Sequence, residues 1–495
     1  MLNWKIRYAK LIKQYPGLRN LDKSILEVGC GPYGLAYQLS RPVQGCELNL
    51  VQSQSEWLKI AQGSILELPF QNNSFDYVLC VDVLEHLANA DRAKAISELV
   101  RVAKEKVVIS CPFDYPGAEG ESALAEWYDK RFGERPGWLH EHLVNGLPKL
   151  SEIVAQIIGI GLPFDLFGNE GMLQHYAGIL LDFDFPLSQQ LLKHQRYKNP
   201  FEAPIAESDW DHFYSYGICV HKDIPIPLPR AYQAAASGNV DAVERGKLGV
   251  YAACHDLSLL DDFGKITPLF TGASASQVGS HALTDILSSG RRLQNNRWSE
   301  MSGVYKVWQE GPKTDVVGFC HYRRFFDFSS LDVDRYRSVI KKSEVAACNK
   351  NFLHEDVLRY CLGGSVILPF PYQLEQTPFQ QYAFCHNAND LCKIVSLMSK
   401  KTPELLPYTD NIFNGNNFYS YNMFIMQWEL FDELCKVWFG LLLEFEEMIP
   451  AGRASDYQNR DISFLAERIF DVWIRYAADK LGVKLVHTPV YFVEN

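Results

Sequence analysis

The proline-rich stretch DIPIPLPRAYQAAASGNVDAVERG, Asp223 to Gly246, constrains the fold of this chain more than any other feature. It carries three prolines at alternating positions followed by small polar residues, a composition typical of a linker. On both sides of it the sequence alternates short apolar runs with helical stretches. We therefore predict two α/β domains, residues 1–222 and 247–495, joined by a linker at 223–246.

Apolar runs in the first domain predict the strands of a sheet. The runs SILEVG, FDYVLCVD and EKVVISCP are typical of buried strands, and YSYGICVHK is typical of a final strand. Helical stretches separate the first three, which favours a parallel sheet. After the linker, KLGVYAACHD begins a second α/β pattern that continues to the carboxyl end.

Charge and cysteine content narrow the range of partners and locations. The formal net charge of −11 argues against general binding of nucleic acids, because such binding requires a basic surface. Twelve cysteines without CxxC spacing are typical of reduced thiols in a cytosolic protein. The amino terminus is amphipathic and basic, and no stretch reaches the ~20 apolar residues that span a bilayer. We therefore expect a cytoplasmic location, at most peripheral to the inner face of the membrane.

A strand followed by a glycine-rich turn, ILEVGCGPYGLAY, lies near the amino terminus. Gly29, Gly31 and Gly34 let the backbone approach a ligand closely before a helix begins. This spacing alone fits a dinucleotide as well as other nucleotides. Glu47, at the expected end of a second strand, is placed to accept hydrogen bonds from two ribose hydroxyls. The block GSILELPFQNNSFDYVLCVDVLEHL then adds a loop, a strand and an acidic pair.

These three blocks together resemble a class I S-adenosylmethionine-dependent methyltransferase. The specific motifs lie between Lys23 and Pro112, and a weaker likeness extends towards Lys222. The resemblance implies a Rossmann-like domain in which Glu27 and the glycines hold the methionine part of S-adenosylmethionine, Glu47 the ribose, and the loop after the third strand the adenine. The cofactor-binding residues expected on this basis are Glu27, Gly29, Gly31, Gly34, Glu47, Ser64, Ile65 and Asp82.

One position departs from this family. Ser64 stands where the family often has an acidic residue that bonds the adenine amino group, and a hydroxyl accepts this bond more weakly than a carboxylate. A first domain that binds the cofactor or serves as a scaffold without turnover is therefore one alternative. A nicotinamide-dependent oxidoreductase built on the same glycines is another.

Histidines supply the candidate base of the first domain. Methyl transfer needs alignment of nucleophile and sulfonium, and a base when the acceptor is a hydroxyl. His86, His140 and His142 are candidates because neutral imidazole titrates near the working pH, and a structural role for each is the alternative. We select His142 as catalytic. The pair His140 and His142 also has the form of a metal-binding motif, but no third ligand is evident, so no metal is expected.

The second domain contains DVVGFCHYRRFFDF, which begins as a buried strand and ends with His321, Arg323 and Arg324 among aromatic residues. A guanidinium in apolar surroundings is costly without a partner, so either acidic side chains or an anionic ligand must neutralise this pair. Polar residues also accompany other apolar blocks of this domain. They are His255, Glu300, Asn422, Arg460, Asp461, Glu467 and Arg468.

Five blocks in the expected order, ACH, SE, HYRRFF, NMFIM and LAERIFDVWI, resemble a bacterial family of capsular and surface polysaccharide glycosyltransferases. That family has long been catalogued as a domain of unknown function and is marked by the HYRR tetrapeptide. The likeness spans nearly all of residues 247–495. It implies a GT-A-like fold with a nucleotide-sugar at the carboxyl ends of parallel strands, and UDP-galactose or UDP-galactofuranose among the donors.

With a nucleotide-sugar as ligand, Arg323 and Arg324 are expected to grip the departing β-phosphate, on which charge grows as the glycosidic bond breaks. No Asp-x-Asp motif follows an apolar strand here, so we expect metal-independent or weakly metal-dependent transfer. An inverting reaction needs a carboxylate base, which we predict to be Glu467, with Asp461 behind it and Glu300 binding sugar hydroxyls. A helix ion pair of Glu467 is the alternative. We also predict that His321 is catalytic. The predicted substrate-binding residues, besides Glu300, are His255, Asn422, Arg460 and Arg468.

The sequence therefore predicts a bifunctional enzyme of bacterial surface polysaccharide biosynthesis, such as the synthesis of capsule or lipopolysaccharide O-antigen. One domain adds a sugar and the other methylates a glycan hydroxyl. The expected partners are a nucleotide-sugar and a glycan acceptor, which can be lipid-linked. The alternatives are a glycosyltransferase with a non-catalytic first domain and a non-enzymatic protein in which HYRR binds an anionic polysaccharide.

Overall fold

A computed structural model describes most of the chain, and the chain forms two compact units. The first unit comprises residues 1–228 with 386–407, and the second comprises residues 229–385 with 408–495. Most of the predicted linker and the predicted site residue His255 lie outside the described residues. The described residues are 2–172, 175–176, 178–179, 213–230, 232, 246–254, 266–278, 282–290, 293–321, 323–327, 337–341, 344, 354–449 and 458–494.

The described chain forms helices and strands with the following bounds. The helices are α1 (Leu2–Gln14), α2 (Gly34–Leu39), α3 (Asn89–Val102), α4 (Asp114–Phe132), α5 (Gly137–Asn145), α6 (Leu150–Ile160), α7 (Asn295–Trp298), α8 (Met301–Glu310), α9 (His354–Leu362), α10 (Pro378–Cys385), α11 (Ala388–Lys401), α12 (Asp410–Asn414), α13 (Trp428–Met448) and α14 (Asp461–Lys480). The strands are β1 (Ile25–Val28), β2 (Val43–Glu47), β3 (Leu58–Gln62), β4 (Phe75–Val81), β5 (Ala103–Pro112), β6 (Phe164–Gly171), β7 (Phe213–His221), β8 (Leu248–Cys254), β9 (Thr267–Phe270), β10 (Leu283–Thr284), β11 (Val316–His321), β12 (Arg324–Phe326), β13 (Arg337–Lys341), β14 (Ser365–Pro369), β15 (Tyr372–Gln373), β16 (Asn417–Phe418), β17 (Phe424–Gln427), β18 (Lys484–Thr488) and β19 (Val490–Glu494).

The first unit is built on a seven-stranded sheet of order β3-β2-β1-β4-β5-β7-β6. Strands β1 to β5 pair in parallel, and β7 runs antiparallel to both β5 and β6. The predicted Rossmann-like α/β fold is therefore confirmed. The all-parallel sheet that the helical connections favoured is wrong at one strand, because β7 runs antiparallel to both of its neighbours. The parallel part leaves the carboxyl ends of β1 to β5 at one edge of the sheet.

The edge strand of this sheet, β6, is covered by α11. Ser399 Oγ accepts a hydrogen bond from the Phe164 N–H at 3.1 Å, and Ser396 Oγ accepts one from the Leu166 N–H at 2.7 Å. These hydroxyls satisfy backbone donors that would otherwise lie at an open sheet edge. The predicted domain boundaries stay predictions, but residues 386–407 belong to the first compact unit and not to the second.

The second unit contains a ten-stranded sheet. The path β10-β9-β8-β11-β17-β14-β18 is parallel except for β17, which runs antiparallel to β11 and β14. A branch of β12, β19 and β13 leaves β11 at its carboxyl end. The α/β class predicted for this half is confirmed. The parallel strands β9, β8 and β11 end at a common edge, where ligands of α/β proteins bind.

Helices α13 and α14 pack against each other within the second unit. Both Trp438 and Ala466 are fully buried, and the indole of Trp438 donates a hydrogen bond to the Ala466 carbonyl at 2.8 Å. The cysteines of the described chain are free. Among the described residues, no single helix is long and apolar enough to cross a bilayer. Helices α5 and α6 together have the required length and composition, but they are bent by 73° against each other.

Candidate functional sites

A turn with three left-handed glycines connects β1 and α2. The φ angles are 75° at Gly29, 57° at Gly31 and 53° at Gly34. At Gly34 a Cβ would lie 2.6 Å from the Glu27 carboxylate, so a side chain there would force the carboxylate to shift. A Cβ at Gly31 would meet nothing within 4 Å, so the turn has open space at this residue. A ligand can therefore approach the backbone of the turn closely.

Glu27 lies beneath this turn and is fully buried. Its Oε2 accepts a hydrogen bond from the Leu35 N–H at 2.6 Å, and Tyr8 of α1 also hydrogen-bonds to the carboxyl group. Burial raises the pKa of Glu27 to about 7, against the effect of these two hydrogen bonds and with a contribution from the charge of Glu47. The predicted methionine-binding carboxyl is therefore fixed by donors of the protein itself.

Glu47 and Ser64 follow adjacent strands. Glu47 Oε1 accepts a hydrogen bond from the Gly31 N–H at 2.5 Å, so it lies directly against the glycine turn. Ser64 Oγ accepts a hydrogen bond from the Leu66 N–H at 3.2 Å, and Ile65 is buried. Because β3, β2 and β1 are parallel neighbours, these predicted cofactor-binding positions line one edge of the sheet.

Asp82 follows β4, on the other side of β1. It adopts a positive φ of 52° and forms an ion pair with Arg7 of α1. Burial raises the pKa of Asp82, and the charge of Arg7 opposes this effect. A non-glycine residue in the left-handed region persists only where its surroundings hold it, and such residues cluster at functional sites. A ligand that binds the Asp82 carboxylate therefore does so while this carboxylate is also paired with Arg7.

A cavity of about 420 Å³ opens beside Asp82 in the first unit. Its wall combines charged, imidazole and aromatic side chains, which suits a polar molecule with apolar faces. The lining residues are Arg7, Asp82, Glu85, His86, Pro112, Tyr128, Trp138, His142, Ile179 and Tyr214. The cavity lies at the carboxyl ends of β4 and β5, next to the predicted cofactor turn.

His142 of α5 is buried in the wall of this cavity. Its Nδ1 donates a hydrogen bond to Glu121 Oε1 at 2.7 Å, and the same oxygen accepts one from the Tyr214 hydroxyl at 2.6 Å. Its Nε2 is buried without a hydrogen-bond partner in the described part of the chain. Since the carboxylate keeps a proton on Nδ1, the lone pair of Nε2 is available to a ligand.

The other two candidate histidines have different surroundings. The ring centroids of His86 and His142 are 4.7 Å apart, and His86 Nδ1 donates to Glu141 Oε2 at 2.8 Å. Burial lowers the pKa of His86, and nearby His142 lowers it further. His140 is exposed and does not line the cavity. The structure therefore brings two of the three candidate bases together.

Glu85 adds a buried carboxyl group to the same cavity. Burial, followed by the charge of Asp82, raises the pKa of Glu85 well above its ordinary range. Its Oε2 has no hydrogen-bond partner among the described residues. The structure thus adds a carboxyl group to the two histidines, which the sequence analysis did not anticipate.

The predicted arginine pair of the second unit lies at a tight hairpin. Strand β11 ends with His321, β12 begins with Arg324, and these two residues pair across the strands. Arg323 lies in the turn, where its carbonyl accepts a hydrogen bond from the Val493 N–H at 2.9 Å. The hairpin thus places both arginines at the carboxyl end of β11.

Arg324 is surrounded by aromatic faces. Its guanidinium carbon lies 4.2 Å from the ring centroid of Tyr421 and 5.6 Å from that of Phe492. Its Nε is buried and has no hydrogen-bond partner among the residues the structure describes. The charge of Arg324 also lowers the pKa of Glu467. Stacking therefore orients this guanidinium while leaving its Nε donor unused.

Tyr421 and Asn422 connect the predicted residues of the second unit. Both adopt positive φ, 75° and 49°. The N–H of Tyr421 donates to Glu467 Oε1 at 2.7 Å, and its carbonyl accepts a hydrogen bond from His321 Nε2 at 2.5 Å. With its ring against Arg324, Tyr421 contacts three predicted site residues. Strained backbone of this kind is typical of functional sites.

Glu467 of α14 is buried between two donors. Besides the Tyr421 N–H, Nη1 of Arg468 donates to its Oε2 at 2.8 Å. Burial raises the pKa of Glu467 to about 7, against Arg468 and the Tyr421 hydrogen bond, with Glu300 adding to the rise. A carboxyl group with this pKa can act as a general base near neutral pH. The helix ion pair that was the alternative role predicted for Glu467 is also present, with Arg468 as its partner.

Glu300 and Asn422 form a second polar group in this unit. Glu300 Oε1 accepts a hydrogen bond from Asn422 Nδ2 at 2.8 Å and one from Ser463 Oγ at 3.2 Å. The Oδ1 atom of Asn422 is buried and finds no hydrogen-bond partner within the described chain. This amide oxygen is therefore available to accept a hydrogen bond from a ligand hydroxyl.

Arg468, predicted to bind substrate, is enclosed by the protein. Its guanidinium carbon lies 5.3 Å from the ring centroid of Tyr382 and 4.7 Å from that of Phe418. It also donates a hydrogen bond to Gln381. These contacts and its hydrogen bond to Glu467 engage the Arg468 guanidinium within the protein, and its role in substrate binding stays a prediction.

Three predicted residues lie apart from Glu467 or outside the described chain. Asp461 accepts two hydrogen bonds from Arg297, at 3.2 and 2.9 Å, and its role as the second candidate base stays a prediction. Asp461 is the first residue of α14, nearly two turns from Glu467. Arg460 is exposed at the start of that helix, and His255 is not among the described residues.

Sequence reasoning missed several residues of both sites. Ser463 had a usable signal, since it lies four residues before Glu467 on one face of α14. Tyr421 had a weaker one, a polar pair with Asn422 directly before an apolar run. Glu121 had none, because its contact with His142 depends on the packing of α4 against α5.

Comparison with protein families agrees with the two sequence resemblances. Residues 26–111 match the family model described as a methyltransferase domain. Residues 249–478 match the model described as a domain of unknown function, DUF4422. The first half of the chain therefore carries a methyltransferase domain, and the second half carries a DUF4422 domain.

Curated relatives match parts of the chain. Norajmaline N-methyltransferase of Rauvolfia serpentina is 27% identical over 119 residues, 21% of this chain and 39% of the relative. Sterol 24-C-methyltransferase of Pneumocystis carinii is 28% identical over 193 residues, 33% of this chain and 45% of the relative. An uncharacterized protein of Methanocaldococcus jannaschii is 33% identical over 100 residues, 19% of this chain and 42% of the relative. The chain thus spans less than half the length of these relatives.

Solved structures also match parts of the chain. The bifunctional glycosyltransferase WbbM in its apo form is 19% identical, with a TM-score of 0.44, and the match covers 50% of this chain and 46% of that one. Magnesium protoporphyrin IX methyltransferase of Synechocystis, solved with bound SAH, is 13% identical, with a TM-score of 0.27, covering 45% of this chain and 83% of that one.

Proposed function

We propose that the chain is a bifunctional transferase of bacterial surface polysaccharide synthesis. Its methyltransferase domain methylates a glycan hydroxyl with S-adenosylmethionine. Its second unit transfers a sugar, galactose or galactofuranose, from a UDP-sugar to a glycan. The observation that carries the proposal is the arrangement around Tyr421, where a single residue contacts His321, Arg324 and a buried carboxyl group with a pKa near neutrality.

The glycine turn of the first unit fits S-adenosylmethionine. The open space at Gly31 and the carboxylates of Glu27 and Glu47 at neighbouring strand ends support this assignment. When bound, the cofactor supplies a methyl group on a sulfonium, and its transfer depends on alignment with the nucleophile. Glu27 would hold the methionine part, Glu47 the ribose, and the Ser64 loop the adenine.

The acceptor hydroxyl is proposed to enter the cavity beside Asp82. The unpartnered Nε2 of His142 can accept a hydrogen bond from that hydroxyl or take its proton, while Glu121 holds the ring. Tyr214 positions Glu121 in turn through its hydroxyl. These residues support methyl transfer to oxygen, since an oxygen acceptor must lose its proton.

In the second unit the diphosphate of the donor is proposed to lie at the hairpin of Arg323 and Arg324. Two aromatic rings orient Arg324, and its unused Nε donor fits an anionic oxygen. A positive charge fixed at this position stabilises the departing β-phosphate more as its charge grows than in the bound donor. The two guanidinium groups supply this charge without a metal ion.

Glu467 is proposed as the general base for sugar transfer. It takes the proton of the acceptor hydroxyl while that oxygen attacks the anomeric carbon and the bond to the diphosphate breaks. The Tyr421 N–H and Arg468 hold the carboxylate in one orientation. Glu300 and Asn422 are proposed to bind sugar hydroxyls, since Asn422 keeps an unused amide oxygen.

The two activities are proposed to share a glycan acceptor, which can be lipid-linked. Tethering two catalytic units raises the effective concentration of a shared substrate. We propose that the chain acts in the cytoplasm, at most peripheral to the membrane, because free thiols are typical of a reducing compartment.

A double-label experiment tests the proposal. The full chain is incubated with UDP-galactose labelled in the sugar, S-adenosylmethionine labelled in the methyl group, and a lipid-linked glycan acceptor. We expect both labels in one product, loss of the sugar label alone with Glu467→Gln, and loss of the methyl label alone with Gly34→Ala. A glycan product that never carries the methyl label would rule out the coupled function. Absence of UDP binding, together with weakened glycan binding by Arg324→Ala, would favour the polysaccharide-binding alternative.

A further inference from the structure

We infer that the cavity of the first unit binds a divalent transition-metal ion through Glu85, His86 and His142. The ligand atoms that these three residues offer lie within 4.8 Å of one another. Two histidines and one carboxylate are a donor set of catalytic zinc and of other divalent ions, and they leave coordination positions open. The inference rests on the proposed methyl transfer and deepens it, because it specifies how the acceptor hydroxyl is bound and activated.

Two of the three ligand atoms are buried and unused. His142 is 5% exposed and Glu85 is 1% exposed, and neither His142 Nε2 nor Glu85 Oε2 has a hydrogen-bond partner in the described part of the chain. A buried polar atom without a partner is destabilising, and most such atoms in proteins are satisfied by a protein group, water or an ion. A cation between these atoms would satisfy both of them.

Both histidines are oriented as metal ligands are. His142 donates from Nδ1 to Glu121 at 2.7 Å, and His86 donates from Nδ1 to Glu141 at 2.8 Å. Metal-binding histidines almost always donate their second ring N–H to a carboxylate, a carbonyl or water, which fixes the ring and makes the free nitrogen more basic. Each histidine therefore presents Nε2 as the atom left for a metal ion, and the two ring centroids lie 4.7 Å apart with their planes inclined by 55°.

The charges around the cavity also favour a cation. Its basic side chain, Arg7, is engaged in an ion pair with Asp82. The carboxyl groups of Glu85 and Glu121 remain, both buried in the same region, and Glu170 lies close enough to affect Arg7 electrostatically. Acidic groups therefore outnumber basic ones around the cavity, and a divalent ion would offset this excess.

Such an ion would take part directly in methyl transfer to oxygen. The acceptor hydroxyl binds an open coordination position, its pKa falls, and its proton leaves to water. The resulting alkoxide oxygen then forms a bond to the methyl carbon, while the bond from that carbon to sulfur breaks and its electron pair stays on sulfur. With the ion present, His142 serves as a ligand, and the ion replaces it as the group that activates the hydroxyl.

Metal binding can be measured without any acceptor. The full chain is freed of metal with a chelator and titrated with Zn²⁺ and Mn²⁺ by calorimetry, and with Co²⁺ by its visible absorption. We expect about one equivalent of tight binding, weakened by more than ~100-fold in Glu85→Gln and His142→Ala and by ~10–100-fold in Glu121→Gln. His140→Ala is the matched control, since His140 is exposed on the same helix, and should bind as the wild type does.

A second variant and a second readout keep the outcome decisive. Circular dichroism checks that each variant is folded, and His86→Ala, at a partly exposed position, replaces any buried variant that is not. The site would be overturned if the wild type bound no metal ion specifically. It would also be overturned if Glu85→Gln and His86→Ala bound the ion as tightly as the wild type does. Specific binding that is lost in these variants supports the site even if no hydroxyl is ever methylated, in which case only the proposed methyl transfer fails. If the protein binds no metal ion in the titration and still transfers methyl groups at the full rate after chelator treatment, the metal site is refuted and the proposed function stands.

Discussion

Glu27 in the first unit and Glu467 in the second are buried carboxyl groups, and burial raises the pKa of each to about 7. Their neighbours differ. The hydrogen bonds to Glu27 come from neutral donors, the Tyr8 hydroxyl and the Leu35 N–H. Glu467 accepts a hydrogen bond from the guanidinium of Arg468, and the charge of Arg324 also favours its ionised form.

Under the proposed function, the two carboxyl groups have different tasks despite their similar pKa values. A carboxyl group fixed by neutral donors and packed against a glycine turn is placed to bind, since its position is set by backbone contacts. A carboxyl group whose ionised form is opposed by burial and favoured by neighbouring cations is balanced to exchange a proton. Substitutions at Glu467 and Arg468 test the second carboxyl group, and a substitution at Gly34 tests the first.

Glu467→Gln should have the largest effect. The amide keeps the shape of the side chain and can still accept a hydrogen bond from the Tyr421 N–H, but it cannot take a proton. We expect the kcat of sugar transfer to fall by ~10²–10⁴-fold, with methyl transfer unchanged. Initial rates of both reactions measure this. In the matched variant Glu27→Gln the pattern should be reversed, with sugar transfer kept. Sugar transfer by Glu467→Gln at near wild-type rate would mean that Glu467 has only a structural role.

Arg468→Ala should have the next largest effect, on stability. It leaves Glu467 buried without its cationic partner, and removal of one member of a buried ion pair costs ~3–5 kcal/mol. Guanidinium unfolding of the second unit measures this. Lys436→Ala is the control, because Lys436 pairs with Asp432 and Glu433 at the surface, where such pairs contribute ~0–1 kcal/mol. Equal losses in the two variants would contradict the importance of the pair.

Gly34→Ala tests the first unit. A Cβ at this residue would lie 2.6 Å from the Glu27 carboxylate and the backbone φ is 53°, so both the carboxyl group and the turn must shift. A strained residue of this kind costs ~1–3 kcal/mol, and we expect S-adenosylmethionine to bind ~10–100-fold more weakly by calorimetry. Gly133→Ala, with a φ of 77° and open space, controls for the backbone effect alone. Unchanged cofactor affinity in Gly34→Ala would separate this turn from the binding site.

The fold was largely predictable because its signals are local. Apolar runs of strand length and a glycine turn appear in the sequence as they do in the structure, so β1, β4, β5, β7 and β11 could all be placed. The reversal of β7 could not, since the direction of a strand depends on the path of the chain between elements. The packing of α11 on β6 was equally hidden, because it joins residues more than 200 positions apart.

The sites were predictable only where a residue type implied a chemical need. Arg324 and Glu467 stood out because buried charges require partners. The partners themselves, such as Arg297 for Asp461 and Glu121 for His142, depend on how helices cross, which the sequence does not show. Glu85 was not predicted as a site residue, because its position opposite His142 depends on packing between distant segments.

The pH dependence of stability should show the smallest effect and sharpens the comparison. Each carboxyl group has a pKa of 4.5 ordinarily and about 7 when folded, so the folded chain holds protons that the unfolded chain has released. Their contribution is fully present below pH 4.5 and is lost as the pH rises through 7, by up to ~1.4 kcal/mol per pH unit for each group. Relative to the wild type, the free energy of unfolding of the first unit should increase in Glu27→Gln between pH 5 and 8. That of the second unit should increase in Glu467→Gln over the same range.

The rate of sugar transfer should also rise over this range, because the base must be ionised. In the second unit, activity and stability therefore change in opposite directions with pH. Parallel pH profiles of variant and wild-type stability would contradict the raised pKa.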